Sequence, residues 1–203
     1  MSTPIYLFKI ELDGIKPKIW REFFVPADIT LADFHWVIQH VMGWENSHMH
    51  EFEINKGRYH EEPDPEFPVK ETSAYRLMDL VPAQTKTIHY TYDFGDNWGH
   101  TIKLVKADFT PPEGFANGYG CLRGARACPP EDIGGPYCYP DFIEALNDPD
   151  NPEHAEIKEW YADTFDTDEP LDSERFDLKE VNKHLAKIKP KKLRKKAAGK
   201  TAN

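Results

Sequence analysis

Cysteine is scarce: three residues in 203 cannot staple a secreted disulfide framework, and free thiols in a reducing compartment are expected instead. Long apolar runs are missing as well. No stretch approaches the roughly 18 residues that a membrane-spanning helix needs. The opening MSTPIYLFKI has no charged segment leading into an apolar one. The expectation is a cytoplasmic protein with no membrane partner. Serine is confined to Ser2, Ser47, Ser73 and Ser173, none of them flanked by clustered arginines, so a phosphate-attacking serine of the recombinase type has no residues to build it.

Positive charge is short in most of the chain. The net charge is −10, yet Lys189–Asn203 holds seven lysines and arginines and no acid, which leaves residues 1–188 at −17. A body so acidic repels phosphate and excludes a broad nucleic-acid face. Nucleic acid is expected, if anywhere, only at the basic tail, and low hydrophobicity with like charges reads there as disorder. The length allows one core, so the expected organisation is a single domain over 1–188 followed by the tail 189–203.

What is present is patterned. Residues 5–12 alternate, with Tyr6, Phe8, Ile10 and Leu12 on one face, which predicts a strand that turns at Asp13-Gly14 into a second strand, Ile19–Val25. Thr30 with Asp33 forms a capping box ahead of Leu31, Phe34, Val37, Ile38, Val41 and Met42 at helical spacing, and Gly43 ends the helix. His48–Ile54 reads as a third strand with His48, His50, Phe52 and Ile54 on one face. Residues 57–74, with Pro63, Pro65 and Pro68, read as an irregular surface excursion. A helical turn near Tyr75–Leu80 comes next, then a hairpin of Thr87–Phe94 and Trp98–Val105 across Gly95-Asp96-Asn97. Helices are expected at about 139–146, 152–162 and 178–188, the last capped by Asp177. This order argues for an α+β fold: a mostly antiparallel sheet with a β-grasp-like ββαβ start, a later β-hairpin and C-terminal helices packed on the sheet.

Two segments concentrate chemistry: YDFGDNWGH (Tyr92–His100) and CLRGARACPPEDIGG (Cys121–Gly135). Together they offer a candidate binding surface of Tyr92, Asp93, Asp96, Trp98, His100, Arg123, Arg126, Glu131 and Asp132. The second segment reads as a packed Ω-like loop in which Arg123 or Arg126 pairs with Glu131 and Asp132. Its Pro-Pro-Gly-Gly run needs a partner to stay ordered, so the two segments are expected to pack together. His48, His50, His100, Cys121 and Cys128 are the candidate metal ligands, although the Cys121-to-Cys128 spacing is wider than that of common zinc knuckles. A Cys121 or Cys128 nucleophile with His100 and Asp93 is a weaker alternative. Trp20, Trp36, Trp44, Trp98 and Tyr92 sit at spacings more typical of core than of a ligand groove.

PKIWREFFVPADITLADFHWVIQHVMGWENSHMHEF (Pro17–Phe52), the two motif segments and FDLKEVNKHLAKI (Phe176–Ile188) occur in one order that resembles the root-inducing-plasmid ORF-3-like family, also labelled transposon-passenger TnpR-like. The resemblance spans roughly residues 4–188 and implies an α+β fold without an established activity. The expectation is a binding or interaction module associated with mobile genetic elements, with an unidentified protein or peptide partner. No resident cofactor is expected beyond a divalent metal. The alternative is a metal-dependent hydrolase or nuclease built on His48, His50, His100 and nearby acids.

Overall fold

Alternating apolar residues at the start of the chain form β1 (Ile5–Leu12), which the Asp13-Gly14 turn folds back onto β2 (Trp20–Pro26) in antiparallel register from Ile5↔Pro26 to Glu11↔Trp20. The computed structural model describes residues 3–62, 66, 68–83, 85, 87–167, 169 and 171–189. The tail expected to be disordered, from residue 190 on, lies outside the described residues.

Thr30 caps α1 (Leu31–Met42) as its sequence implies. Its hydroxyl accepts from the Asp33 amide at 3.0 Å, and the Asp33 carboxylate accepts from the Thr30 amide at 3.4 Å. Gly43 ends the helix at φ 110, a left-handed conformation open to glycine at little cost. The apolar stripe of α1 lies on the sheet. Phe34 meets Phe8 at 5.2 Å, Phe52 at 5.8 Å and Phe23 at 6.0 Å between ring centroids, so one side chain joins three strands to the helix. Deleting so large a buried ring costs about 3–5 kcal/mol.

The eight strands form one sheet in the order β5-β4-β3-β6-β7-β1-β2-β8, antiparallel except for β4 with β5. Here β3 is His50–Ile54, β6 is Ile88–Tyr92, and β7 is Trp98–Lys106, which pairs with both β6 and β1. The ββαβ opening is present in chain order. Its third strand lies in the far half of the sheet, between β4 and β6. That strand begins at His50, so His48 stands in the loop before it rather than on its face.

Two segments expected to be irregular are strands. Residues 57–74 supply β4 (Gly57–His60), β5 (Val69–Glu71) and a 3-10 turn at Thr72–Ala74, because the prolines fall between these short elements rather than within them. The first third of the Cys121–Gly135 segment belongs to β8 (Gly120–Ala125), an edge strand on β2, and the loop is confined to residues 126–134. Gly120 makes this pairing fit, since a Cβ there would stand 2.5 Å from the Phe24 ring.

α2 (Leu77–Leu80) lies between β5 and β6 and is tied to the chain before α1 by the Leu77 amide on the Ile29 carbonyl and the Met78 amide on the Ala27 carbonyl, both at 2.8 Å. α3 (Gly135–Asn147), α4 (His154–Phe165) and α5 (Leu178–Leu185) come after β8. α5 packs on β8 and α1, while α4 packs on α3 and buries no residue fully. Asp177 caps α5 through the Lys179 and Glu180 amides, both at 3.0 Å. Asn182 then grips the open edge of β8, accepting from the Cys121 amide at 2.7 Å and donating to the Cys121 carbonyl at 3.0 Å. A side chain thus occupies backbone groups that a bare edge strand would offer to other chains. Among the described residues, no helix is long and apolar enough to cross a membrane.

Arg21, 1% exposed, is the largest polar intrusion into the core. Its guanidinium donates to the carbonyls of Val41 (2.7 Å), Trp20 (2.9 Å), Ala125 (2.8 Å) and Arg126 (2.8 Å), and lies 4.1 Å from the Phe176 ring centre. Three histidines are also buried: His35, His50 and His100. His35 and His50 stack with centroids 3.5 Å apart and planes 6° apart. Tyr90 Oη accepts from Gln39 Nε2, so its own proton goes to His35 Nδ1 at 2.8 Å, and His35 Nε2–H donates to Asn46 Oδ1 at 2.6 Å. That network uses a neutral imidazole. Burial holds His35, His50 and His100 below the usual histidine range, at about 4, 2 and 3.

These depressed values set the sign of the pH dependence. Below pH ~6.5 the unfolded chain takes up protons that these folded histidines refuse, so stability is fully present above that value and falls as pH drops towards 4. Thermal melts from pH 7.5 to 4.5 should show the midpoint descending below about 6.5, and His50→Phe should flatten the descent. A midpoint indifferent to pH across that window would contradict the neutral buried cluster. A second expectation concerns Gly135 (φ 81), where a Cβ would stand 2.2 Å from the Asp96 carbonyl oxygen. Gly135→Ala should therefore force α3 off the β6–β7 turn and lower the midpoint, while Gly114→Ala, also at positive φ (98) but with no atom within 4 Å, reports the backbone strain alone.

Candidate functional site

Three connections meet at one end of the sheet: residues 44–49 between α1 and β3, the β6–β7 turn at 93–97, and residues 126–134 between β8 and α3. Gly43 turns the chain out of α1 and drops Trp44 into the core against Tyr92 (4.9 Å), His100 (5.0 Å) and Trp98 (6.0 Å), with its indole donating to the Pro129 carbonyl at 3.1 Å. Asn46, at φ 62, is clamped from below by α1: its side chain meets His35 and its amide donates to Gln39 Oε1 at 2.9 Å. The loop carrying His48 is therefore held by polar residues buried on an otherwise apolar helix face.

Tyr92 is the hub of the three connections. Its hydroxyl accepts from the amides of Ser47 (2.9 Å) and His48 (3.3 Å) and donates to Glu131 Oε1 at 2.9 Å, which also accepts from the Glu45 amide at 2.9 Å. Burial, then Glu131, raises the Tyr92 hydroxyl well above the ordinary tyrosine range, so it stays a donor. Asp93 is left-handed at φ 56. Its Oδ1 accepts from the Gly95 amide at 2.8 Å, and its amide donates to the Met49 carbonyl at 2.9 Å. Asp132 is left-handed too, at φ 62, a conformation aspartate tolerates better than most residues. Asp96 Oδ2 accepts from the Gly134 amide at 3.1 Å, and burial and Asp93 raise its carboxyl against that pull. The hairpin and the CPPED loop thus pack against each other.

At the centre stands His48 Nε2, 3.2 Å from Asp132 Oδ1, 3.6 Å from Glu131 Oε2 and 3.7 Å from Asp93 Oδ2. The nitrogen is shut from solvent, yet none of these approaches has hydrogen-bond geometry. One ligand atom from each of His48, Asp93 and Asp132 lies within 4.8 Å of the others, a grouping able to hold a metal ion. Asp132 is 67% exposed and opens the cluster to solvent, while Asp93 at 9% closes it below.

Several expected site residues lie elsewhere. His48, His50 and His100 do not converge: His50 stacks on His35, and His100 contacts the Tyr90 carbonyl through Nδ1 at 3.3 Å, a histidine absorbed by the core. Trp98 (0% exposed) and His100 (1%) are interior residues and present no binding surface. Cys121 points its thiol at the Glu22 carbonyl from the edge strand, and burial pushes that thiol up to about 11. Cys128 is raised further by burial, so neither sulfur has the thiolate character of a nucleophile. The cysteines are free. Arg123 pairs with Glu22 at 2.9 Å and Arg126 with Glu174 at 2.7 Å, so neither neutralises Glu131 or Asp132. Tyr92, expected on the binding surface, is likewise buried and joins Trp44 in the core, whereas Trp20 and Trp36 are half-buried. The supporting residues His35, Gln39 and Asn46 were missed, although polar residues one turn apart on the buried stripe of α1 were the visible signal.

The family model for plasmid pRiA4b ORF-3-like proteins matches residues 4–180. The uncharacterized protein y4hQ of Sinorhizobium fredii (strain NBRC 101917 / NGR234) is 35% identical over 198 residues, which cover 96% of this chain and 97% of that one. The crystal structure of MM3350, a protein of unknown function from Methanosarcina mazei Go1, superposes with a TM-score of 0.77 at 34% identity, over 90% of this chain and 99% of that one. With the fold matched along nearly its whole length and the motif segments inside the matched region, the chain belongs to the plasmid pRiA4b ORF-3-like family.

Proposed function

We propose that this protein binds a divalent cation at His48, Asp93 and Asp132, with Glu131 as an adjoining carboxylate, and that this cluster is its functional centre. The observation that carries the reading is the solvent-shut His48 Nε2, which has no hydrogen bond and faces three carboxylates at 3.2–3.7 Å. Carboxylates gathered around one imidazole repel one another, and a doubly charged ion removes that repulsion while occupying the orphaned nitrogen. One imidazole with two or three carboxylates suits manganese or zinc better than magnesium, which prefers oxygen and water. The Tyr92 hydroxyl supports the site from outside it, fixing Glu131 and the His48 backbone together.

A second reading is hydrolytic. Glu131 and Asp132 also line a chamber of about 440 Å³, which gives a substrate room beside the cation. A bound cation there would supply Lewis acidity. The free thiols support a cytoplasmic setting, and the plasmid reading frame for which the family is named supports an association with mobile genetic elements.

Mn²⁺ titrated into chelator-treated protein should bind with one-to-one stoichiometry by calorimetry and raise the thermal midpoint. A ligand at about 100 times its Kd stabilises by roughly 2.7 kcal/mol. Both responses should vanish in His48→Ala and in Asp132→Asn, the latter at an exposed position that folding tolerates, and persist in His50→Phe. Absence of saturable Mn²⁺ or Zn²⁺ binding by the unsubstituted protein would sink the reading. The hydrolytic reading predicts Mn²⁺-dependent turnover of chromogenic ester, phosphodiester or amide substrates that is lost in Glu131→Gln with cation binding retained.

A further inference from the structure

A groove separates the sheet and α1 from the C-terminal helices. Two chambers of about 570 and 440 Å³ share Gly43, Cys128, Tyr161 and Leu171 on their walls and so form one continuous trough. It runs from Glu180 and His184 on α5 to Glu131 and Asp132 at the cation cluster. Trp44, Pro129, Pro130, Phe165 and Phe176 give it apolar walls.

Acids dominate its polar lining: Glu45, Asp166, Glu169 and Asp172 join Glu131, Asp132, Asp177 and Glu180, against Arg21 and Arg175. Neither arginine is available to balance them. Arg21 is spent on four backbone carbonyls, and Arg175 lies 3.6 Å from Asp177. The exposed carboxylates of Glu45, Asp166 and Glu169 have no hydrogen-bond or ion-pair partner among the described residues.

We propose that this groove is a docking site for an extended Lys/Arg-rich segment of a partner protein. Lysine and arginine carry long methylene stems beneath a charged head, so they cover apolar walls while placing charge at an acidic rim. Arginine planes also stack on aromatic rings such as Tyr161 and Phe165. An acidic segment would be repelled, and an apolar one would cover the unpaired carboxylates without replacing their water. A second folded copy is a poor occupant, because the body of each chain carries −17. The chain's own residues 189–203, with seven positive charges, have the required chemistry, so the test must separate the two sources.

The test is fluorescence anisotropy of a fluorescein-labelled nonapeptide, three repeats of Lys-Leu-Arg, with the full chain in EDTA, where the cation site makes no contribution. Saturable one-to-one binding is expected, weakening with salt, with none for the matched peptide carrying Glu at every Lys and Arg. The triple variant Glu45→Gln, Asp166→Asn, Glu169→Gln should weaken binding about tenfold, a loss of about 1.4 kcal/mol shared over three exposed ion pairs. Glu53→Gln, Asp79→Asn, Glu113→Gln makes the same charge change at exposed positions outside the groove and should leave binding nearly intact. Equal losses in the two triples would mean bulk attraction to an acidic body and overturn the proposal. So would binding that emerges only when Lys191, Lys192, Lys195 and Lys196 are changed to Gln, because the chain's own segment would then be the occupant. Because the measurement is made in EDTA, a failed groove leaves the cation reading standing, and a failed cation site leaves the groove.

Discussion

The Arg21 guanidinium holds together elements that the sheet alone would not. A buried cation is tolerable only when its donors are met, and here carbonyls from β2, the end of α1, the end of β8 and Arg126 meet them. Those contacts fix the end of α1 relative to the start of the 126–134 loop. The loop leaving α1 carries His48, and the loop leaving β8 carries Glu131 and Asp132. Truncating Arg21 would leave four carbonyls short of a donor and release both sides of the site together.

Downstream of that tie, the site is a chain of dependent hydrogen bonds. The Tyr90 hydroxyl links Gln39 to His35, His35 holds Asn46, and the Tyr92 hydroxyl holds the next two backbone amides and Glu131. These bonds are buried at Tyr90 and part-buried around Asn46 and Tyr92, which makes each worth more than its counterpart in water. Rigidity at His48 is therefore inherited from the core, and Asp132 remains as the exposed member. The acid-rimmed groove begins where this rigid framework ends, with α4 contributing no fully buried side chain to its wall.

Much of this was written in local patterns. Period-two alternation announced β1. The Thr30–Asp33 box and Gly43 set both ends of α1. Asp177 announced α5, and the chemistry concentrated in Tyr92–His100 and Cys121–Gly135 marked two of the three connections that meet at the candidate site. Misreadings came where a local signal was real but answered to a distant partner. The Cys121–Gly135 segment looked like loop throughout, but its first third is strand, where Gly120 is the flat spot that lets the Phe24 ring cross β8. The prolines after His60 looked like a break in structure, and they separate two short strands.

The amino-acid sequence by itself determined β1, β2, α1, the β6–β7 hairpin and the C-terminal helices, the caps of α1 and α5, and the acidic body with its basic end, because these depend on neighbours within a few residues and on summed charge. It also named His48, Asp93, Glu131 and Asp132. What only the tertiary structure decided is that the three carboxylates stand around the His48 ring nitrogen while His50 and His100 turn into the core. Strand parity put His48 and His50 on one face; starting β3 at His50 placed His48 in a loop aimed by Tyr92, and burial beside His35 fixed the direction of His50. Side-chain direction in a loop depends on contacts from residues 40 to 90 positions away, and no local pattern carries that information.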